Sequence, residues 1–357
     1  MIELSNANVF SIAKNIIIDD FQDKTKVKNT IIDECNRQLS KHIGEESYTR
    51  AILLVKSVIQ DCKKLSIDWI SYKNDNFPKG LLDLNGQRYD VPPILFFKGD
   101  ITRINKYRNV AVIGTREPIE LTLDVGYQLA KELGNRQINI ISGLAKGCDK
   151  IAHKGALDSS HGYTVAIMAG GLDKIYPAEN KELAEEILNK GGCLISEYAP
   201  YVRPQKWTFA QRDRLQSGIS ESIVVLQTKE IGGTNITVDY AKKQKRVIFA
   251  YQNTTNGMSI LFGGNNAIIQ GGAIPLIYHL QSDIEAILAL PNTGAESISL
   301  AHLVKKTEYD NYTIQALRQE CRDKGLTGTS KLNKRQLIEK LTNKIGEVTL
   351  FDFEGPK

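Results

Sequence analysis

Paired cysteines are missing from this chain. Its five (Cys35, Cys62, Cys148, Cys193 and Cys321) are odd in number, scattered and never spaced C-x-x-C. That excludes a disulfide framework and a cysteine zinc site, and fits a reducing compartment. Long apolar runs are missing too, since no stretch approaches the ~20 residues needed to cross a bilayer. Met1–Asp20 interleaves Glu3, Asn6, Asn8 and Lys14 with short apolar pieces, unlike a signal peptide. The expected setting is therefore the cytoplasm, with no membrane partner. Charge of one sign is scarce: the net excess is +5, too small to name a polyanionic partner, so the placement of the cations decides. No G-x-x-x-x-G-K-[ST] occurs, and G-x-G-x-x-G is absent after the first strand of the central region, which argues against a nucleotide triphosphatase and a nicotinamide site. His42, His153, His161, His279 and His302 show no metal spacing, and neither a metal nor a cofactor is expected.

What is present centres on Asn109–Thr115. Val110–Ile113 is an unbroken apolar run that stops at Gly114, and a helical pattern follows with Leu121, Val125, Leu129, Ala130 and Leu133 on one face. A strand apolar on both sides that feeds a helix begins a parallel α/β sheet. Further strand candidates are Ile138–Ile141, Tyr163–Met168, Cys193–Ile195, Ile223–Leu226 and Val247–Phe249, nearly all followed by helical stretches. The fold class expected is α/β, a Rossmann-like, doubly wound, mostly parallel sheet. Ahead of it lies a helical module (1–65), with Ile52, Val55, Val58, Ile59 and Cys62 at helical spacing. The α/β domain spans 66–290, opened by extended pieces and the strand Ile94–Phe97. After it come a linker (291–311), a two-helix module (312–344) and a tail (345–357).

Glycine-rich corners follow several of the strands. They are Gly114-Thr115-Arg116; Ser142-Gly143-Leu144-Ala145-Lys146-Gly147-Cys148-Asp149; Gly170-Gly171; and Gly232-Gly233-Thr234. Backbone N–H groups at helix starts, with Arg116, Lys146, Arg212 and Arg214 in or near them, make a cleft suited to phosphate. Tyr176, Tyr198 and Trp207 are the nearby aromatics able to stack on bases.

Ile113–Arg116, Ser142–Asp149, Ala152–Leu157, Gly170–Asp173 with Tyr176-Pro177 and Asn180, Ser196–Tyr198, Arg212–Ser220 and Asn266–Ala273 follow one another in order. Together they resemble the DNA-processing protein A (DprA/Smf) family, from about residue 69 to 288. The resemblance implies a Rossmann-like protein without established catalysis that binds single-stranded DNA. It also implies a homodimer that helps load a RecA-type recombinase during natural transformation. Carried over by position, Gly114, Arg116, Ser142, Gly143, Lys146 and Gly147 line the strand's phosphate path and Arg212 and Arg214 extend it; Thr115, Gly170, Gly171, Gly233 and Thr234 sit on the same corners. The chain departs from the family pattern with Lys146 for an arginine, Cys148 for an aliphatic residue, Asp213 for an asparagine, and Ile231–Asn235 for a serine-glycine-serine stretch.

In the C-terminal module, Thr313 can cap a helix with Ile314, Leu317 and Cys321 inward, ended by Gly325; Asn333 can cap a second with Leu337, Ile338 and Leu341 inward. The arrangement resembles a SAP motif, which binds DNA. Lys324, Lys331, Lys334 and Arg335 would be its contacts, adding a grip that extends to double-stranded DNA. Two alternatives stay open. Gly232–Asp239 partly resembles the G-G-x-G-T-x-x-E motif of nucleoside-monophosphate phosphoribohydrolases, with Asp239 at the acidic place. Otherwise, the pocket senses a small nucleotide.

Overall fold

The computed structural model describes residues 45–82, 84, 91–252, 261–289, 312–329, 337 and 341. Most of the 1–65 module, the linker and the tail lie outside them. The described residues fall into two units, one ending at Leu280 and the other taking in those from Gln281 onward.

The first unit is a nine-stranded sheet. Helix α1 (Glu45–Lys64) leads into β1 (Asp68–Ser71) and β2 (Ile94–Gly99). Five parallel-sheet units then follow: β3 (Asn109–Ile113) with α2 (Glu120–Asn135), β4 (Asn139–Ser142) with α3 (Cys148–Leu157), β5 (Thr164–Met168) with α4 (Lys181–Asn189), β6 (Cys193–Ser196) with α5 (Lys206–Ile219), and β7 (Ser222–Val225) with α6 (Thr234–Lys243). The sheet closes with β8 (Val247–Tyr251), α7 (Gly263–Gln270) and β9 (Ile274–Leu276). Strand order is β1-β2-β6-β5-β4-β3-β7-β8-β9. Only β1 against β2 and β2 against β6 run antiparallel. The Rossmann-like expectation is met.

Strands β3 to β7 are buried at every position. Helices cover both faces, so side chains pointing either way must be apolar, and this made the runs readable. Two buried asparagines start the central pair. Asn109 Nδ2 donates to Ile104 O at 2.8 Å, and Asn139 Nδ2 donates to Arg103 O and to Asn109 Oδ1, each at 3.0 Å. The buried stripe of α2 is Thr122, Val125, Gly126, Leu129, Ala130 and Leu133. Leu121, expected inward, is instead 45% exposed. It lies one residue, about 100° of helical turn, off that stripe. Strand β9 carries Pro275, which cannot donate to a ladder and so is confined to an edge; the sequence reading did not single it out.

Val55, Val58 and Cys62 of α1 keep the expected helical spacing, and Val58 and Cys62 pack with Ile67, Ile94, Phe96 and Leu144. The lead-in segment is anchored by Phe77 and Leu81, both fully buried against β2, β3 and Leu215 and Ile219 of α5. Asn105 clamps it, donating from Nδ2 to Phe77 O and accepting from Lys79 N–H at Oδ1, each at 2.9 Å.

In the second unit, α8 (Leu280–Leu288) precedes α9 (Ile314–Asp323). Thr313 caps α9 as expected, its side chain accepting from Ala316 N–H at 3.2 Å. Gly325, at φ +72°, ends the helix, and Leu326 N–H returns to Cys321 O at 2.8 Å. Leu317, Cys321, Leu337 and Leu341 form one buried cluster. Ile314, expected inward, is 42% exposed. Asn333 and Ile338 lie outside the described residues.

Phe77→Ala removes a ring for which no neighbour can substitute. Urea unfolding is expected to show a loss of about 3–5 kcal/mol.

Candidate nucleic-acid interface at the sheet switch point

Strand β3 pairs with β4 on one side and β7 on the other, in register Val110↔Ser222. The chain leaves these two strands in opposite directions across the sheet, so their carboxyl ends part and leave a crevice. That crevice is a cleft of about 630 Å³. It is walled by the β3 exit (Ile113–Glu117), the start of α3 (Ala145, Asp149), the loop into α6 (Thr228 to Thr237) and one face of α5 (Lys206, Phe209, Ala210, Arg212, Asp213, Gln216).

Arg212 is the centre of its floor. It is 6% exposed. Nη1 donates to Gly143 O at 2.7 Å and Ile167 O at 2.5 Å, and Nε donates to Asp213 Oδ1 at 3.1 Å. Turning the Gln216 amide lets its oxygen accept from Nη1 as well. Among the described residues Nη2 has no acceptor, so two N–H groups of the fork remain available. Gly143 must be glycine here, since a Cβ would stand 2.1 Å from Arg212 Nη1. Gly147 holds φ +72°, and a Cβ on it would meet Thr115 O at 2.6 Å. These two positions let the β4–α3 turn pass between Arg212 and the β3 exit.

Two carboxylates flank that guanidinium. Asp149 Oδ2 accepts from Gly143 N–H at 3.1 Å and Ala145 N–H at 3.3 Å. Burial pushes its carboxyl up, with Arg212 opposing. Burial likewise raises Asp213 to about 6, with Arg212 and a hydrogen bond from Thr237 pulling down and Asp149 pushing up. The rim differs. Arg116 is exposed, lies 5.6 Å over the Phe209 ring, and has no carboxylate partner among the described residues; nor do Lys206 and Lys229. Gly232, Gly233 and Thr234 lie at the open start of α6.

Of the residues singled out from the sequence, Gly114, Thr115, Arg116, Arg212, Gly233 and Thr234 come together in this cleft. Gly143 and Gly147 shape its floor from behind. Others are placed elsewhere. Ser142 is fully buried and donates from Oγ to Val112 O at 2.7 Å, inside the sheet. Lys146 is exposed and ion-paired with Glu179, off the cleft lining. Gly170 O accepts from Ser196 Oγ at 2.8 Å and Gly171 N–H donates to Val202 O at 2.8 Å, so both glycines hold the loop after β6. Arg214 corrects the expectation of two parallel arginines: residues two apart on a helix are ~200° apart. It points away, 5% exposed, and grips Glu197 at 2.9 Å and 2.8 Å. Asp239 is exposed on α6 outside the cleft. Lys324 pairs with Glu320 at 3.4 Å; Lys331, Lys334 and Arg335 lie outside the described residues.

The sequence reading missed Lys206, Phe209, Gln216, Lys229 and Thr237. The α5 residues that line the cleft, Lys206, Phe209, Ala210, Arg212, Asp213 and Gln216, recur at i, i+3, i+4, i+6, i+7 and i+10, a helical stripe that marks one face. Of the aromatics, Tyr176 is 50% exposed and packs on Phe209 at 5.7 Å; Trp207 is 60% exposed and packs edge-on against Tyr198 at 5.9 Å.

Neither Cys148 nor His153 is poised as a nucleophile or base. Burial raises the thiol of Cys148, and His153 is buried and held neutral, pushed down to about 3. His153 Nδ1 lies 2.8 Å from Thr164 Oγ1, whose hydrogen goes to Ile140 O at 2.7 Å, so Nδ1 is the donor. Among the described residues no cluster could hold a metal ion, and no helix is long and apolar enough to cross a membrane.

Fold and cleft together define a Rossmann-like protein with a cation-rimmed cleft at the sheet's switch point. Residues 68–288 match the family of DNA recombination-mediator protein A, and the chain belongs to that family. It is 36% identical over 216 residues to the DNA processing protein DprA of Bacillus subtilis, covering 60% of this chain and 70% of that one. To the DNA processing protein DprA of Streptococcus pneumoniae it is 34% identical over 204 residues, covering 57% and 68%. The solved DNA processing protein A of Streptococcus pneumoniae shares the fold, with TM-score 0.61 and 24% identity over 80% of this chain and 99% of that one. That of Helicobacter pylori, solved for its single-stranded DNA binding mode, gives TM-score 0.54 and 29% identity over 62% and 96%.

Two outcomes follow from the buried charges. Glu197→Ala strands the Arg214 guanidinium in the interior and is expected to cost about 3–5 kcal/mol in urea unfolding. For Asp213 the folded carboxyl titrates near 6 against an ordinary 3.8. The ionised form therefore lowers stability above pH 6, and the cost disappears below about pH 4. Asp213→Asn keeps an acceptor for Arg212 Nε. Compared by urea unfolding, it is expected to be more stable than the parent by about 1–3 kcal/mol at pH 8, converging with it as the pH falls toward 4.

Proposed function

We propose that this chain binds single-stranded DNA at the switch-point cleft, holding the strand by its phosphates along the cleft's rim. The observation that carries the reading is charge placement. Arg116, Lys206 and Lys229 stand on the rim without carboxylate partners among the described residues, beside the open backbone start of α6. Kinship with the Helicobacter pylori protein supports the choice of ligand. The exposed rings of Trp207 and Tyr176 offer sequence-tolerant stacking next to the rim. The α9 module is a second grip in this reading and would extend binding to double strands. A recombinase partner fits the family's description as a recombination mediator, and the homodimer belongs to the same reading. The role is binding rather than catalysis, because the carboxylate a phosphoribohydrolase would need, Asp239, sits outside the cleft.

The test is a fluorescence titration with oligothymidylate across salt. Arg116→Ala with Lys206→Ala is expected to weaken binding at least ~10-fold and to flatten the salt slope by about 0.7 per lost contact. Lys146→Ala, already paired with Glu179 off the cleft, is expected to change it far less. Unchanged affinity in the double variant would remove the cleft from the reading.

A further inference from the structure

The rim and the floor of the cleft carry opposite chemistry. A phosphate on the rim meets Arg116, Lys206 and Lys229; a phosphate on the floor would press against Asp149 and Asp213. The floor is nevertheless open to a ligand, because Arg212, nine-tenths buried, has Nη2 without an acceptor among the described residues, and Asp213 lines the cleft beside it. What fits is a neutral group offering two adjacent N–H donors to a carboxylate and an acceptor to a guanidinium. About 630 Å³ is room for a nucleobase and its sugar, and Phe209 supplies an apolar wall.

Of the DNA bases, guanine alone presents that edge: N1–H and N2–H side by side, with O6 next to them. We propose that the floor reads one guanine of the bound strand, with Asp213 accepting from N1–H and N2–H and Arg212 Nη2 donating to O6. Adenine and cytosine each have one amino group flanked by an acceptor, which would face the carboxylate. Thymine offers a single N–H between two carbonyls. The bound strand thus slides along the rim until a guanine drops in. This rests on the proposed DNA reading and adds a preference to it.

The test uses the full chain and oligothymidylates that carry one central guanine, hypoxanthine, adenine or cytosine. Hypoxanthine lacks only the N2 amine. The guanine oligomer is expected to bind about tenfold more tightly than the hypoxanthine one, with Asp213→Asn bringing the ratio toward one. Arg116→Ala is expected to weaken every oligomer. Equal binding of guanine and hypoxanthine, with Arg116→Ala still weakening both, would overturn the base-reading floor and leave the cleft reading standing. No effect of Arg116→Ala on any oligomer would overturn the cleft reading itself.

Acid titration and a free nucleotide complete the experiment. Should Asp213→Asn not fold, the parent's guanine-to-hypoxanthine ratio is followed from pH 7.5 to 5, where protonation removes the acceptor. The groups facing Asp213 are Arg212, Thr237 and Asp149 on the floor, with Arg116, Glu117, Lys206 and Lys229 lining the same cleft. A ratio that falls with pH supports the assignment, and a constant one overturns it. Free dGMP is the competitor: displacement only in large excess over the oligomer supports a strand-borne guanine, whereas displacement of all oligomers at equimolar dGMP would make the occupant a free nucleotide and overturn it.

Discussion

A guanidinium enclosed by backbone carbonyls holds this cleft open. Arg212 reaches from α5 to Gly143 O after β4 and Ile167 O in β5, so one side chain ties a helix to two strand ends. A buried charge costs several kcal/mol unless it is paired, and the pairing comes from Asp213 next to it and Asp149 across the floor. The carboxylates on the floor are thus the counter-charge of the arginine that anchors it. The strict glycine at 143 has the same origin, since it makes room for Nη1.

Rim and floor also differ in their surroundings. The exposed cations lie in high dielectric, where they act at long range and respond to salt. The floor groups sit in low dielectric, where each hydrogen bond is stronger and each unmet one more costly. In the proposed reading, such a site grips any strand by its outer charges and responds to chemistry only at its base.

The parallel sheet was legible because strands buried on both sides have no alternative to continuous apolar runs, as in β3 and β5. The corners were legible as glycine clusters, but their duties were not. Gly170 and Gly171 look like Gly114 in sequence and serve a different loop. Arg212 and Arg214 look like a pair, and only helical phase parts them, one to the cleft and one to Glu197. Phe209 and Gln216 carried a signal in their spacing from Lys206, which the arginines overshadowed. Lys146 could not be placed from sequence, because its partner Glu179 lies more than thirty residues away and nothing local announces the pairing. Strand β9 hid behind its proline.

The pairing of β3 with β7 has a consequence for how the molecule comes into being. The crevice exists only where those two strands lie side by side, and they are separated by the whole stretch from Val110 to Ser222. Contacts so distant along the chain are slow to close and form after local ones. While the ribosome is still making α5, the growing polypeptide has its early strands yet no receptacle for a ligand. That corner of the nascent chain thus stays without its crevice until β7 docks.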